Sequence, residues 1–288
     1  MEEKVMGERP GFFDAHTHVQ FGAFDVDRDE VMRLAREAGV RMINVGTQRD
    51  TSAAAIALAE KYDGVYAAVG LHPVHTTKSF HDAQELGGGE AAKAFTSRGE
   101  AFDAAAYRAL ARHPRVVAIG ECGLDYFRFS DVESREEQVK KQKAAFTAQI
   151  ALAREVGKPL MIHCRNAFAD LIELLRREAD GLKPGVIHFF TGTPDDARAL
   201  FTLGFSFTFG GVVTFARNYD EAIKMIPLGH ILSETDAPYV APVPYRGKRN
   251  EPAYVAETVK KLAELKNISL VEMATQINEN AKRIFSID

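Results

Sequence analysis

The chain has 288 residues, enough to bury a large core, and its apolar and charged fractions, 46% and 26%, are those of an ordinary globular protein. A formal net charge of −4 excludes the global basic field that holds nucleic acid non-specifically, so a polyanion would have to be met by a local patch or by metal ions. Two cysteines, Cys122 and Cys164, exclude a disulfide framework, no apolar run is long enough to span a membrane, and the opening MEEKVMGERPGFF lacks the basic-then-apolar order of a secretory signal; a cytoplasmic monomer without membrane contact is expected.

In chain order, short β-type runs alternate with helical patterns. The strand candidates lie at 12–14, 42–45, 66–69, 116–120, 160–163, 186–189, 205–209 and 231–233. Amphipathic helices are predicted over 27–38, where Val31, Leu34, Ala35 and Ala38 share one side, and over 134–156, 168–179, 195–203, 253–265 and 270–285. Gly39, Gly157 and Gly204 follow periodic runs as helix-stop glycines do. Ser134 with Glu137 reads as a capping box, and Thr193-Pro194-Asp195 as a cap with proline in the first turn.

Eight strands alternating with helices argue for an α/β fold with a parallel sheet, and eight is the number that closes a (β/α)8 TIM barrel, here as a single domain over 1–288. The competing architecture is an open doubly wound sheet. That fold wants a glycine-rich phosphate loop after an early strand, where Asp14-Ala15-His16 stands instead. The segment 76–101, rich in glycine and alanine and carrying Gly87-Gly88-Gly89, breaks the rhythm and reads as an exposed inserted loop, with a lid as the alternative.

The residues that follow the strands carry the chemistry. His16 and His18 sit two apart at the end of the first strand, so both imidazoles point to one face. His72 follows the third strand, Glu121 the fourth, His163 the fifth, His188 the sixth and Asp236 the eighth. Of nine histidines, five fall at strand ends, a distribution that structural histidines have no reason to adopt. In a barrel all these side chains converge on one rim. His16, His18, His163 and His188 with Glu121 and Asp236 are too many donors for one tetrahedral ion with an open position, and enough for two divalent ions (magnesium, manganese or zinc) bridged by Glu121. Two such ions against two carboxylates leave a net positive site that suits a phosphate.

Each residue also has a plainer reading. Glu121 could serve a salt bridge, His163 and His188 could be buried and satisfied, Asp236 could cap a turn, and His72 before Pro73 could be loop structure rather than a phosphate contact. His75, His81, His113 and His230 read as surface or turn residues. Period two turns Cys122 and Cys164 away from Glu121 and His163, as packing residues. Arg165 and the run Arg246, Lys248 and Arg249 adjoin the expected site and suit phosphate contact, although such runs are ordinarily solvated loops. Tyr126, Phe127 and Phe129 follow Glu121, either packing or stacking on a base.

The chain resembles the TatD-type metal-dependent deoxyribonucleases within the wider amidohydrolase-like barrels. The resemblance is carried by Asp14-Ala15-His16-Thr17-His18, Gly70-Leu71-His72-Pro73, Gly120-Glu121-Cys122-Gly123-Leu124-Asp125-Tyr126, Ile162-His163-Cys164-Arg165, His188-Phe189-Phe190-Thr191-Gly192, Glu234-Thr235-Asp236-Ala237-Pro238 and Gly247-Lys248-Arg249-Asn250-Glu251-Pro252, in order over nearly the whole chain. It implies a TIM barrel, metal ligands at His16, His18, Glu121, His163, His188 and Asp236, a substrate-phosphate role for His72, and hydrolysis of DNA phosphodiesters, often from a 3′ end, with magnesium or manganese. In some members a residue at the place of Glu234 helps hold a further metal. Cys122 stands where an aliphatic residue is commoner, and the 76–101 insertion is longer than usual.

The expected function is therefore a metal-dependent phosphodiesterase on DNA, single-stranded or frayed at its ends. Asp236, Glu121 and His72 would be catalytic, and His72, Arg165 and Arg249 would bind the phosphate. A D-aminoacyl-tRNA deacylase or another ester or amide hydrolase on the same dinuclear site is the alternative. Many dinuclear amidohydrolase barrels bridge their ions with a carboxylated lysine on strand four; no lysine occurs over 116–125, which favours the phosphodiesterase. A non-catalytic scaffold would leave gaps in the ligand ring, and the sequence has none.

Overall fold

A computed structural model describes residues 11–81 and 95–288. Most of the amino-terminal stretch read against a secretory signal lies outside the described residues, as do Gly87-Gly88-Gly89 of the insertion and the side chain of His81. Eight parallel strands form one sheet: β1 (Phe12–Thr17), β2 (Val40–Val45), β3 (Val65–Val69), β6 (Val116–Asp125), β7 (Leu160–Arg165), β8 (Val186–Ile187), β9 (Ser206–Phe209) and β10 (Ile231–Ser233), hydrogen-bonded in that order. The two remaining strands, β4 (Lys78–His81) and β5 (Phe95–Arg98), pair antiparallel outside this sheet. The predicted TIM barrel is thus the fold, with the eight strands of this sheet buried on both faces over nearly all their length.

The seam between β10 and β1 is closed by side chains as much as by backbone. Ser233 Oγ donates to the Phe13 carbonyl at 2.7 Å. The wholly buried Asp14 carboxylate accepts from the Thr235 N–H at 2.8 Å and the Thr235 hydroxyl at 2.5 Å. One turn further on, the Asp236 N–H donates to the His16 carbonyl and the His18 N–H to the Ala237 carbonyl, both at 2.8 Å. Burial pushes the Asp14 carboxyl well above the usual carboxylate range, against the pull of its hydrogen bonds to Thr235 and His16.

Helices α1 (Arg28–Glu37), α4 (Arg135–Val156), α5 (Phe168–Arg177), α6 (Pro194–Thr202), α8 (Val255–Lys266) and α9 (Leu270–Phe285) fall within a residue or two of expectation. Ser134 caps α4 through the Glu137 N–H, Thr193 and Asp196 form a reciprocal box on α6, and Gly157 ends α4 at φ +65°. Three helices were not expected: α2 (Arg49–Lys61), α3 (Ala104–Ala111) and α7 (Asp220–Met225). The first buries Ser52, Ala55 and Ala59 beside Ile56 and Leu58, so its inner face differs little from its outer one in hydrophobicity. Where 76–101 is described, its two ends hold the strands β4 and β5, paired antiparallel with Lys78 opposite Arg98 and His81 opposite Phe95. His75 lies in the short turn Pro73–Thr76, as one of its two readings had it, but is buried rather than on the surface; its Nδ1 lies 2.8 Å from Ser97 Oγ and ties the pair to the barrel.

Asp14→Ala removes one of the acceptors that join first strand to last and leaves the Thr235 N–H and O–H donors buried without an acceptor. A loss of about 3 kcal/mol in urea unfolding is expected, with Asp14→Asn losing less because its amide oxygen still accepts.

Candidate metal centre

β6 runs five residues beyond its predicted end at Gly120, and this extension builds the site. Gly123, at φ +132°, lies so close to β7 that an added Cβ would stand 2.0 Å from the His163 carbonyl oxygen; no other residue fits there. The ladder therefore places Glu121 and Asp125, four apart and on one face, beside His163.

Glu121 is buried at the middle of the strand ends, and its two oxygens face different partners. Oε2 lies 3.5 Å from His16 Nε2 and 3.9 Å from His18 Nε2. Oε1 lies 3.2 Å from His72 Nε2, 3.1 Å from His163 Nδ1 and 2.9 Å from His188 Nε2. Asp236 closes the first group, its Oδ1 being 3.3 Å from His18 Nε2 and 3.7 Å from His16 Nε2. All seven predicted residues of the ring are therefore in one pocket. Asp236 and His163, with side chains 18% and 17% exposed, stand at its mouth, while His16 is at the floor with 0%.

Hydrogen bonds on the far side of His18, His163 and His72 decide which of their nitrogens faces inward, whereas the far-side Nδ1 atoms of His16 and His188 are buried without such a partner. His18 Nδ1 donates to the Val45 carbonyl at 2.7 Å, leaving a lone pair on Nε2. His163 Nε2 donates to Asp125 Oδ2 at 2.9 Å, leaving the lone pair on Nδ1. His188 Nδ1 lies 3.6 Å from Glu234 Oε1, behind the ring and away from Glu121. His72 is set the other way: its Nδ1 accepts the Val74 N–H at 3.2 Å, so the proton sits on Nε2 and points into the pocket. His72 is thus a hydrogen-bond donor rather than a ligand, although it stands among potential ligand atoms with Glu121 and His163.

This donor set fits divalent cations. Two inward-facing nitrogens, His16 Nε2 and His18 Nε2, are 3.1 Å apart, and His163 Nδ1 and His188 Nε2 are 3.3 Å apart. Lone pairs at that distance repel unless a proton or a cation lies between them. Donors on one four-coordinate ion, bonded at about 2.1 Å, stand about 3.4 Å from each other. His16, His18 and Asp236 with Glu121 Oε2 make one such group, and His163 and His188 with Glu121 Oε1 a second. The electrostatics agree. Burial would raise the Glu121 carboxyl, but His72, His188 and His16 hold it well below the usual range. Burial likewise opposes protonation of His188, yet Glu121 and Glu234 raise it well above an ordinary histidine. The backbone turns sharply at Asp236, with φ +55°, and at Phe189, next to His188, with φ +45°; the latter is strained for a bulky residue.

Two residues were missed as site members. Asp125 orients His163 and, against burial, is held down to about 2 by that histidine; its place four residues after Glu121 was the available signal. Asp14 holds the His16 and Thr235 N–H groups at once. Glu234, expected only through the resemblance, is wholly buried, with Oε1 grouped with His16 and His188 and Oε2 accepting from the Thr208 hydroxyl.

The expected phosphate-binding arginines diverge. Arg165 lies over the Phe127 ring at 3.8 Å, at the end of β7. Arg249 instead forks onto Asp27 at 2.8 and 2.6 Å, meets Glu251 at 3.0 Å and covers Phe24, so its guanidinium clamps the final loop to the start of α1. Tyr126 donates to Asp170 at 2.7 Å and Phe129 packs on Arg135, so both are fixed by neighbours, whereas Phe127 is 54% exposed. Cys122 and Cys164 are free and buried, as expected.

A family model described as TatD related DNase matches residues 13–286. The chain is 38% identical over 279 residues to a metal-dependent hydrolase, YabD, of Bacillus subtilis, covering 96% of this chain and 99% of the relative. It is 35% identical over 282 residues to the 3′-5′ ssDNA/RNA exonuclease TatD of Cronobacter sakazakii, covering 95% and 97%. Among solved structures it is similar to YJJV, a TatD homologue of Escherichia coli, at 29% identity and a TM-score of 0.79 over 96% of this chain and 98% of that one.

Asp125→Ala frees the His163 ring to choose the other tautomer. A 10- to 100-fold weaker binding of manganese, roughly, is expected in calorimetric titration. Removing metal with a chelator leaves the buried nitrogen pairs uncompensated, so the melting temperature should fall and recover when a divalent ion is restored.

Proposed function

From a chain that belongs to the TatD-related DNase family of metal-dependent hydrolases, we propose a 3′–5′ exonuclease on single-stranded or frayed DNA, working through two divalent ions that share Glu121. The observation that carries this reading is the division of the Glu121 carboxylate, one oxygen toward His16, His18 and Asp236 and the other toward His163 and His188. Magnesium, manganese or zinc held in the two groups would acidify water and neutralise charge that develops on a phosphate.

The chain's own residues supply the rest. Asp236 stays ionised because His18 and His16 outweigh the effect of its burial, and it stands at the pocket mouth, so it takes the proton of the attacking water. His72 presents Nε2–H and donates to a non-bridging phosphate oxygen as the negative charge grows. Arg165, on the strand end beyond His163, steadies the phosphate from outside, while Arg249 acts by holding the last loop in place. Imidazole donors suit zinc or manganese, and phosphoryl transfer suits magnesium.

The test compares end-labelled single-stranded DNA with D-aminoacyl-tRNA, using chelator-stripped protein to which magnesium, manganese and zinc are returned singly. Hydrolysis of the DNA from its 3′ end supports the proposal, and ester cleavage of the tRNA without loss of DNA would replace it with a deacylase. Glu121→Ala should lose roughly a hundredfold or more in activity together with metal content. His72→Ala should lose about a hundredfold in kcat while metal content stays unchanged. Full nuclease activity in Glu121→Ala would reveal a contaminant.

A further inference from the structure

Among the aromatic side chains whose burial is described, two are exposed, Phe127 at 54% and Phe215 at 38%. Exposed phenylalanine is costly in water, and here both examples sit on the same end of the barrel. Phe127 follows β6 by two residues, and Phe215 follows the turn after β9, so each rises from the strand ends that surround Glu121. Each also carries an arginine over its ring: Arg165 from the end of β7 at 3.8 Å and Arg246 from the loop after β10 at 3.6 Å. Two independent loops have thus arrived at one composite surface, a π-face beside a guanidinium plane.

Neither ring is loosely attached. Asp125 Oδ1 accepts the N–H groups of Phe127 and Arg128 at 2.9 and 3.1 Å, while its Oδ2 holds His163. The turn that bears Phe127 is therefore fixed to the pocket by one carboxylate. On the other side, Val243 N–H donates to Thr214 Oγ1 at 2.9 Å, which joins the turn of Phe215 to the loop of Arg246. Flat apolar faces edged by positive charge, held rigidly beside a phosphate-seeking pocket, match the chemistry of a nucleobase attached to its own phosphate.

We propose that Phe127–Arg165 and Phe215–Arg246 are two nucleobase-stacking subsites of the metal centre, which grip unpaired nucleotides on either side of the phosphate under attack. This inference rests on the nuclease reading above and extends it: the preferred substrate is single-stranded because stacked bases of a duplex cannot offer their faces to these rings. Little discrimination among the four bases is expected, since every base has a π-face and neither pair offers a buried hydrogen-bonding edge.

The test is steady-state hydrolysis of oligothymidylate by the manganese-loaded protein and by its Phe127→Ala, Phe127→Leu and Phe215→Ala variants. Each variant should raise KM by roughly five- to a hundredfold with a small change in kcat, and Phe127→Leu should behave like the alanine variant because leucine keeps bulk without a π-face. Replacing the stacked base by a tetrahydrofuran abasic unit should raise KM for the parent protein and add little to the penalty of Phe127→Ala. Unchanged KM in all three variants, in a protein that does cleave the oligonucleotide, overturns the stacking subsites and leaves the nuclease reading intact. Restoration by leucine would mark Phe127 as packing only and overturn its part. Absence of any cleavage by the parent protein would remove both readings.

Discussion

One buried carboxylate meeting two sets of imidazoles is the constraint from which the rest of the active end follows. Glu121 is 4% exposed and has five histidine nitrogens within 3.9 Å. A lone ionised glutamate in such a place would be driven to neutrality by desolvation, and a lone imidazole would be driven the same way. Together they are stable only with positive charge shared among them. The strand that carries Glu121 must therefore approach its neighbour closely, which Gly123 permits, and the rings of His18, His72 and His163 are set by the backbone and Asp125.

Those outer partners divide the histidines by role. Four rings are turned so that a lone pair can face inward, whereas His72 receives a backbone N–H and so presents a proton. Identical side chains on neighbouring strands thus acquire opposite duties from contacts on their far sides. The same economy appears in Asp125, whose two oxygens orient the His163 ring and a surface turn.

Much of this was legible in the chain. Period two made His16 and His18 neighbours, and alternation of strands and helices brought residues 16 to 236 to one rim. Where sequence reading fell short, the cause lay in a competing signal. Gly120 looked like a strand end, so Asp125, on the true continuation, was seen only as part of a motif. The alanine-rich helix at Arg49–Lys61 lacks the contrast between faces that periodicity detects. His75 is polar in a turn, and nothing local announces that Ser97, near the far end of the insertion, will meet it. Arg249 belonged to a basic run beside the site; the acidic partner that engages it, Asp27, is 222 positions away.

The seam between the first and last strands has a consequence for the chain as it is made. Asp14 and Thr235 are 221 positions apart, and Asp236 closes the group begun by His16 and His18. During synthesis, the amino-terminal imidazoles leave the ribosome long before the carboxylate that completes their set. A nascent chain therefore carries His16 and His18 without the carboxylate that completes their group until Asp236, 220 positions after His16, has followed them.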